Sequence, residues 1–353
     1  MVDHVIIMAG GAGKRLWPAS NNSKPKQFMT VQGKDSLFLG TIKRAASLNI
    51  KGKILVVTHK DHVDAALEDS RHLPGDIRKK LILLAEPEAR NTGPALAYAG
   101  AWLKEKTGNK EAQVLVLAAD HLIQDVDQFA RDVDDASILA ALDNLVVFGI
   151  KPDFPSTGYG YIEAGEETGP GFKVVSFKEK PDQTRAEEFL KAGNYLWNSG
   201  MFTYKISLFE QELLAGSPDM LKPFLPALHC PASTAENDVT VVMPDDELTL
   251  LYASLPRESV DYALMEKSSR IAMVRSGFDW NDVGSWDVIA DLNPPSEVPV
   301  FSGGNDSNFV YSDIPVALCG VEDLIVVIKN GKALICKKGE SQLVKDAAEA
   351  LST

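Results

Sequence analysis

The chain has 353 residues, 45% hydrophobic and 24% charged, an ordinary balance for a globular protein with a large buried core. That length exceeds one typical core and points to a large domain with a smaller one beside it. A net charge of −13 argues against non-specific nucleic-acid binding, which needs a basic face, yet leaves room for a local cationic cluster around phosphate.

In chain order, Val5 to Met8 is an apolar run that reads as a buried strand. Ser36 caps an expected helix with Leu37, Phe38, Ile42 and Ala45 on one face. Four further strands are expected at Lys53–Thr58, Leu81–Ala85, Val114–Ala118 and Leu145–Gly149, with helices from Asp61, from Gly93 and through Phe129 between them. Strands alternating with helices imply βαβ units and a mostly parallel sheet, and continuous apolar strands imply helices on both faces. Beyond Lys151 the pattern is mixed. Strands are expected near Tyr159–Glu163, Val174–Glu179 and Met201–Tyr204, and helices near Thr184–Ala192, Ser207–Ala215 and Ser259–Lys267.

These features give a large α/β domain over 1–292, a Pro-, Gly-, Ser- and Asn-rich linker over 293–308, and a small β-rich domain over 309–353. The last unit carries short β runs at Phe309–Tyr311, Val316–Cys319, Leu324–Ile328 and Ala333–Cys336, then an amphipathic helix at Ser341–Leu351. Its apolar strands and terminal helix could support self-association, so a homodimer is expected. Cys230, Cys319 and Cys336 lack metal-site or disulfide spacing and suit a reducing compartment. With no secretory signal and no stretch of transmembrane length, the expectation is a cytoplasmic protein without a membrane partner.

The loop after the first strand reads Ala9-Gly10-Gly11-Ala12-Gly13-Lys14-Arg15-Leu16. Its glycines let backbone N–H groups approach phosphate oxygens, and Lys14 and Arg15 add cationic donors. Neither familiar phosphate loop fits. A dinucleotide fingerprint needs glycine where Leu16 stands, and a P-loop needs glycine at Met8 and a hydroxyl residue at Arg15. In Lys24-Pro25-Lys26-Gln27-Phe28, the proline stiffens the backbone and favours a presented Lys26, although read alone a lysine is more often solvated.

IMAGGAGKRLWP followed by KPKQF resembles the signature of the sugar nucleotidyltransferases, and most of all the mannose-1-phosphate guanylyltransferases. The likeness continues in order through EPEARNTGPA, AADHLI, TGYGYIE, FKEKPD, WNSGMF, SVDYALMEK and WNDVGSW, covering most of the first 290 residues. It implies a Rossmann-like α/β sandwich that joins GTP and mannose 1-phosphate into GDP-mannose and pyrophosphate. It also implies Mg²⁺ held by Asp120 and Asp282, whose pairing no sequence spacing could show. Asp120 lies just past a strand's carboxyl end, where open α/β sheets bind ligands, although either aspartate alone reads as a helix cap.

By the same resemblance, Ala9, Gly10, Gly11, Gly13 and Lys14 bind nucleotide phosphates, and Glu86, Asn91 and Thr92 lie by the base. Gly158, Tyr159, Gly160, Glu179, Lys180 and Asn198 meet the sugar or its phosphate. Asp261 either caps a helix or reaches the sugar. Arg15, Lys26, Asp120, Lys180 and Asp282 form the expected catalytic set. Two departures could alter nucleotide preference: Lys14 stands where threonine is common, and Gly93 where alanine is commoner. The family's longer members fuse an isomerase domain, and this chain is expected to be monofunctional. Two alternatives remain at this point: another sugar or nucleotide, and a non-catalytic homologue that only binds nucleotide sugar.

Overall fold

The computed structural model describes residues 1–11, 13–21, 23–225, 230–292, 296, 298–303 and 307–351; the Lys14 side chain and part of the 293–308 segment lie outside them. Eleven strands form one mixed sheet: β1 His4–Ala9, β2 Ile54–His59, β3 Leu81–Glu86, β4 Gln113–Ala118, β5 Leu145–Ile150, β6 Tyr161–Thr168, β7 Gly171–Lys178, β8 Tyr195–Lys205, β9 Ser233–Glu236, β10 Val239–Val242 and β11 Ile271–Arg275. Their order is β5-β11-β7-β6-β8-β4-β1-β2-β3-β10-β9, and β5 also pairs with β8. The centre, β4-β1-β2-β3, is parallel, and β8 runs antiparallel to β4.

Side-chain alternation explains why the central strands read as continuous apolar runs. Ile6, Leu55, Val57, Leu84 and Val116 face one helix-covered core. Val5, Ile7, Val56, Leu83 and Leu117 face the other. Helices Leu37–Ser47, Thr92–Thr107 and Val126–Ala141 cover these faces, capped by the side chains of Ser36, Asn91 and Asp125.

Several expectations shift. Met201–Tyr204 is only the apolar half of the eleven-residue β8, whose polar centre Asn198-Ser199 is itself buried. The helix expected at Ser259–Lys267 is a five-residue π-helix, Asp261–Met265. Asp282 caps no helix, since the next one begins only at Trp286. Strands β9, β10 and β11 and the helix Asp246–Ser254 had no counterpart in the sequence reading. Within the expected linker, Val300–Gly303 is a strand, β12.

The remaining strands are β13 Phe309–Ser312, β14 Val316–Cys319, β15 Leu324–Lys329 and β16 Lys332–Lys337. β12 pairs with β14, and β13-β15-β16 form a second small sheet. Phe309 of β13, Ile325 and Val327 of β15 and Leu334 of β16 share a third core with Leu16, Trp17, Met29 and Val31, from the segment that follows the glycine loop. Trp286 is fully buried there and donates its indole N–H to the Trp17 carbonyl at 3.0 Å. Trp286→Ala is expected to destabilise the chain by about 3–5 kcal/mol in denaturant unfolding, through the cavity and the lost bond. Among the described residues, no helix is long and apolar enough to cross a membrane.

Candidate active site

The parallel register sets Met8 opposite Ala118, so the chain leaving β1 into the glycine loop and the chain leaving β4 toward Asp120 emerge side by side. This is the carboxyl edge of the sheet, where α/β folds bind ligands. A cavity of about 270 Å³ opens there, lined among others by Thr92, Gly158, Tyr159, Gly160, Glu179, Lys180, Asn198, Asp261 and Asp282.

Asp120 and Asp282 come together through backbone architecture that no motif announces. Leu122 and Asn281 form a two-bond antiparallel bridge, N–H to carbonyl at 2.9 and 3.0 Å. The Asp279 carboxylate accepts from the Gln124 and Asp125 N–H groups at 2.9 and 2.7 Å, closing the same junction. Lys26 completes it. Its ammonium donates to Asp120 Oδ2 at 2.8 Å and to the Asp282 carbonyl. Burial pushes the Asp120 carboxyl up, but the charges of Lys26 and His121 and the hydrogen bond from Lys26 together hold the group below its ordinary value. The Asp282 carboxylate accepts from the Tyr159 hydroxyl at 2.8 Å, which together with burial raises the phenol's pKa.

The backbone around the cavity is strained in places. Val283 is fully buried, β-branched, and held at φ +48°. Its N–H is fixed by Asn281 Oδ1 at 2.6 Å. Lys180 at φ +46° and Asn91 at φ +73° are further left-handed residues of the same site.

At the other end of the cavity, Lys180 Nζ meets Glu179 Oε1 at 2.6 Å. Burial opposes the ammonium, but the bond to Glu179, the Glu179 charge and the Asp261 charge together raise the lysine's pKa. Asn198 donates to Asp261 Oδ1 at 3.0 Å. Burial pushes the Asp261 carboxyl up to about 6, and the neighbouring Glu179 charge adds to the shift. Asp261 therefore makes no cap; it faces the cavity beside the sugar candidates. A Cβ at Gly160 would come within 2.5 Å of Glu179 Oε2, so glycine there leaves room for that carboxylate.

The nucleotide candidates divide. Ala9 is buried and its carbonyl accepts from Gln27 Nε2 at 2.9 Å and Thr58 Oγ1 at 3.1 Å, while Gly10 and Gly11 are exposed. Gly13 packs on Lys26. Arg15 is exposed, and its charge reaches Tyr159. Asn91 accepts from the Thr92 N–H as a helix cap, and Thr92 Oγ1 accepts from the Val260 N–H at 3.0 Å. Both side chains are thus committed to holding the loop.

Glu86, the carboxylate expected by the base, is buried. It is 5% exposed, does not line the cavity, and its Oε1 finds no hydrogen-bond partner among the described residues. Burial pushes its carboxyl up to about 8, with the Tyr252 hydroxyl pulling the other way. Between the unfolded value of 4.5 and about 8, the folded state holds a proton that the unfolded chain has lost, so stability falls as pH rises through that window. Glu86→Gln is expected to remove this slope and to exceed the parent in stability above pH 8, read from urea unfolding at stepped pH.

Sequence reasoning gave no role to His121 and Trp280, which line the cavity and join through Trp280 Nε1 to His121 Nδ1 at 3.2 Å. Adjacency to Asp120 and Asp282 was the available signal. It also missed Gln27 and Asp279, which act on the backbone.

A family model described as nucleotidyl transferase matches residues 4–297. Mannose-1-phosphate guanylyltransferase RfbM of Salmonella typhimurium is 36% identical over 360 residues, spanning 98% of this chain and 72% of that protein. The mannose-1-phosphate guanylyltransferase of Klebsiella pneumoniae is 37% identical over 358 residues, spanning 98% and 73%. A solved structure described as mannose-1-phosphate geranyltransferase, from Thermus thermophilus, aligns at TM-score 0.85 and 28% identity over 100% of both chains. A UDP-glucose pyrophosphorylase complexed with UDP-glucose aligns at TM-score 0.52 and 16% identity, over 82% of this chain and 97% of the other, a likeness of fold alone.

Proposed function

The chain belongs to the nucleotidyl transferase family, and from that premise we propose that it is a mannose-1-phosphate guanylyltransferase, joining GTP and mannose 1-phosphate into GDP-mannose with release of pyrophosphate. The observation that carries the reading is the cluster in which one buried lysine joins Asp120 to Asp282 at the edge of a cavity whose far side presents Lys180 and Glu179.

Phosphoryl-type transfer asks the protein for positioning and charge neutralisation more than for covalent chemistry. Lys180 holds the phosphate of the sugar, and Glu179, Asn198 and Asp261 accept from or donate to its hydroxyls. The sugar-phosphate oxygen is anionic at neutral pH and needs no base. It attacks the α-phosphorus of GTP in line; the new P–O bond forms as the bond to the β-phosphate oxygen breaks, and pyrophosphate carries the electron pair away. The Gly10–Gly13 loop and Arg15 stabilise the leaving charge, and Lys26 neutralises the α-phosphoryl oxygens.

The family generally uses a divalent metal, and the residues suit Mg²⁺. Among the described residues no group of three or more acidic, histidine or cysteine side chains forms a cage. Mg²⁺ is commonly held by one or two carboxylates with substrate phosphates supplying further oxygens, and Asp120 and Asp282 are such a pair. The ammonium that already bridges these segments supports a place for positive charge between them. Mg²⁺ would there neutralise phosphate oxygens. A cytoplasmic homodimer completes the proposal.

The test is a matrix of four nucleoside triphosphates against several hexose 1-phosphates, reading pyrophosphate. Preference for GTP with mannose 1-phosphate supports the reading. Another preferred pair replaces it, and nucleotide-sugar binding without pyrophosphate release would mark a non-catalytic homologue.

A further inference from the structure

We infer that the Lys26 ammonium is a built-in stand-in for the divalent cation: it holds Asp120 and the Asp282 main chain in place and must be displaced before a cation can bind. This rests on reading Asp120 and Asp282 as the cation's ligands.

Lys26 is unusual among lysines in being only 8% exposed. Its single charge is shared between Asp120 Oδ2, at 2.8 Å, and the Asp282 carbonyl, so it joins two segments far apart in sequence as a metal between two carboxylates would. The backbone beneath it is fixed. Pro25 precedes it, Lys26–Phe28 form a 3₁₀ turn, and Gln27 is anchored on the Ala9 carbonyl. Freedom therefore resides in the four-carbon stem, which can re-aim the ammonium without moving the chain.

Two cations at contact distance from one carboxylate repel strongly in a partly dry site, so a metal and the ammonium compete for Asp120. The phosphates of an arriving nucleotide give the displaced lysine another anion. Cation binding should accordingly be weak in the absence of nucleotide and strengthen with it, because the nucleotide removes the competitor. The lysine keeps the two aspartate segments assembled in the meantime.

The experiment measures Mn²⁺ alone binding to the full chain without nucleotide, by electron paramagnetic resonance of the free ion, with thermal melting in parallel. Lys26→Met keeps most of the stem's packing and removes the charge. It is expected to bind Mn²⁺ at least about tenfold more tightly than the parent and to gain more melting temperature from the ion. Lys26→Arg, which keeps the charge, is expected to bind no more tightly than the parent. Equal or weaker binding by Lys26→Met, with that variant folded, overturns the inference. Adding Asp120→Asn to Lys26→Met should abolish the gain. If Mn²⁺ affinity is indifferent to Asp120, the cation does not sit there, and the reading of the metal ligands falls separately.

Discussion

Asp120→Asn is expected to lower kcat by about 10³-fold while the chain remains folded. Asp120 lies just past the carboxyl end of β4, joined to Lys26 at 2.8 Å, and the proposal gives it both the cation and the orientation of that lysine. An amide keeps the shape and removes the charge, so neither a divalent ion nor the ammonium is held as before. The folding penalty should be only about 1–3 kcal/mol, because Lys26 keeps the Asp282 carbonyl as an acceptor. Pyrophosphate release under single-turnover conditions, beside urea unfolding of the same sample, separates the two effects. A variant within about tenfold of the parent would remove Asp120 from the chemistry.

The second large effect is expected at Gly13. Its φ is +57°, and a Cβ built there would lie 2.5 Å from the Lys26 Cβ and 3.1 Å from the Lys26 backbone nitrogen. Those are parts of the chain that cannot swing aside, and the left-handed backbone adds about 1–2 kcal/mol for any residue with a Cβ. Gly13→Ala should therefore push Lys26 off the aspartates and lose about 10²-fold in kcat through misplacement alone, measured with saturating substrates. Gly10 is the contrast. Its φ is not positive, and a Cβ there meets nothing within 4 Å among the described residues. Gly10→Ala should fold normally and raise the KM for the triphosphate, because open space for a ligand is what a side chain at that position would fill. If both variants behave alike, the loop's glycines serve the backbone only.

The sequence shows the parallel half of the sheet plainly, because Val5–Met8, Leu81–Ala85 and Val114–Ala118 are strands buried on both faces and read as unbroken apolar runs. β9 was invisible for the opposite reason: Ser233–Glu236 is exposed throughout and mostly polar. In β8 a buried polar centre interrupts the apolar signal, with Gly200 at φ +71° inside the strand. The site was legible only as a set of motifs. Nothing in the spacing of Asp120 and Asp282 foretells the Leu122–Asn281 bridge or the Asp279 clamp that joins their segments, since both act on main-chain groups. Glu86 is the last residue of β3 and is buried with the rest of that strand, which the EPEARNTGPA block does not announce.

The C-terminal strands grip the stretch after the glycine loop at several points: Asn330 donates to the Pro18 carbonyl at 3.0 Å, Tyr311 to the Thr30 carbonyl at 3.2 Å, and Lys332 lies over the Trp17 ring. A tether pulling on the tail would therefore transmit its load to the phosphate loop before it reached the central sheet. In an optical-trap experiment the first rupture should abolish triphosphate retention while most of the contour length is still folded, making the tail a mechanical fuse for the nucleotide's seat.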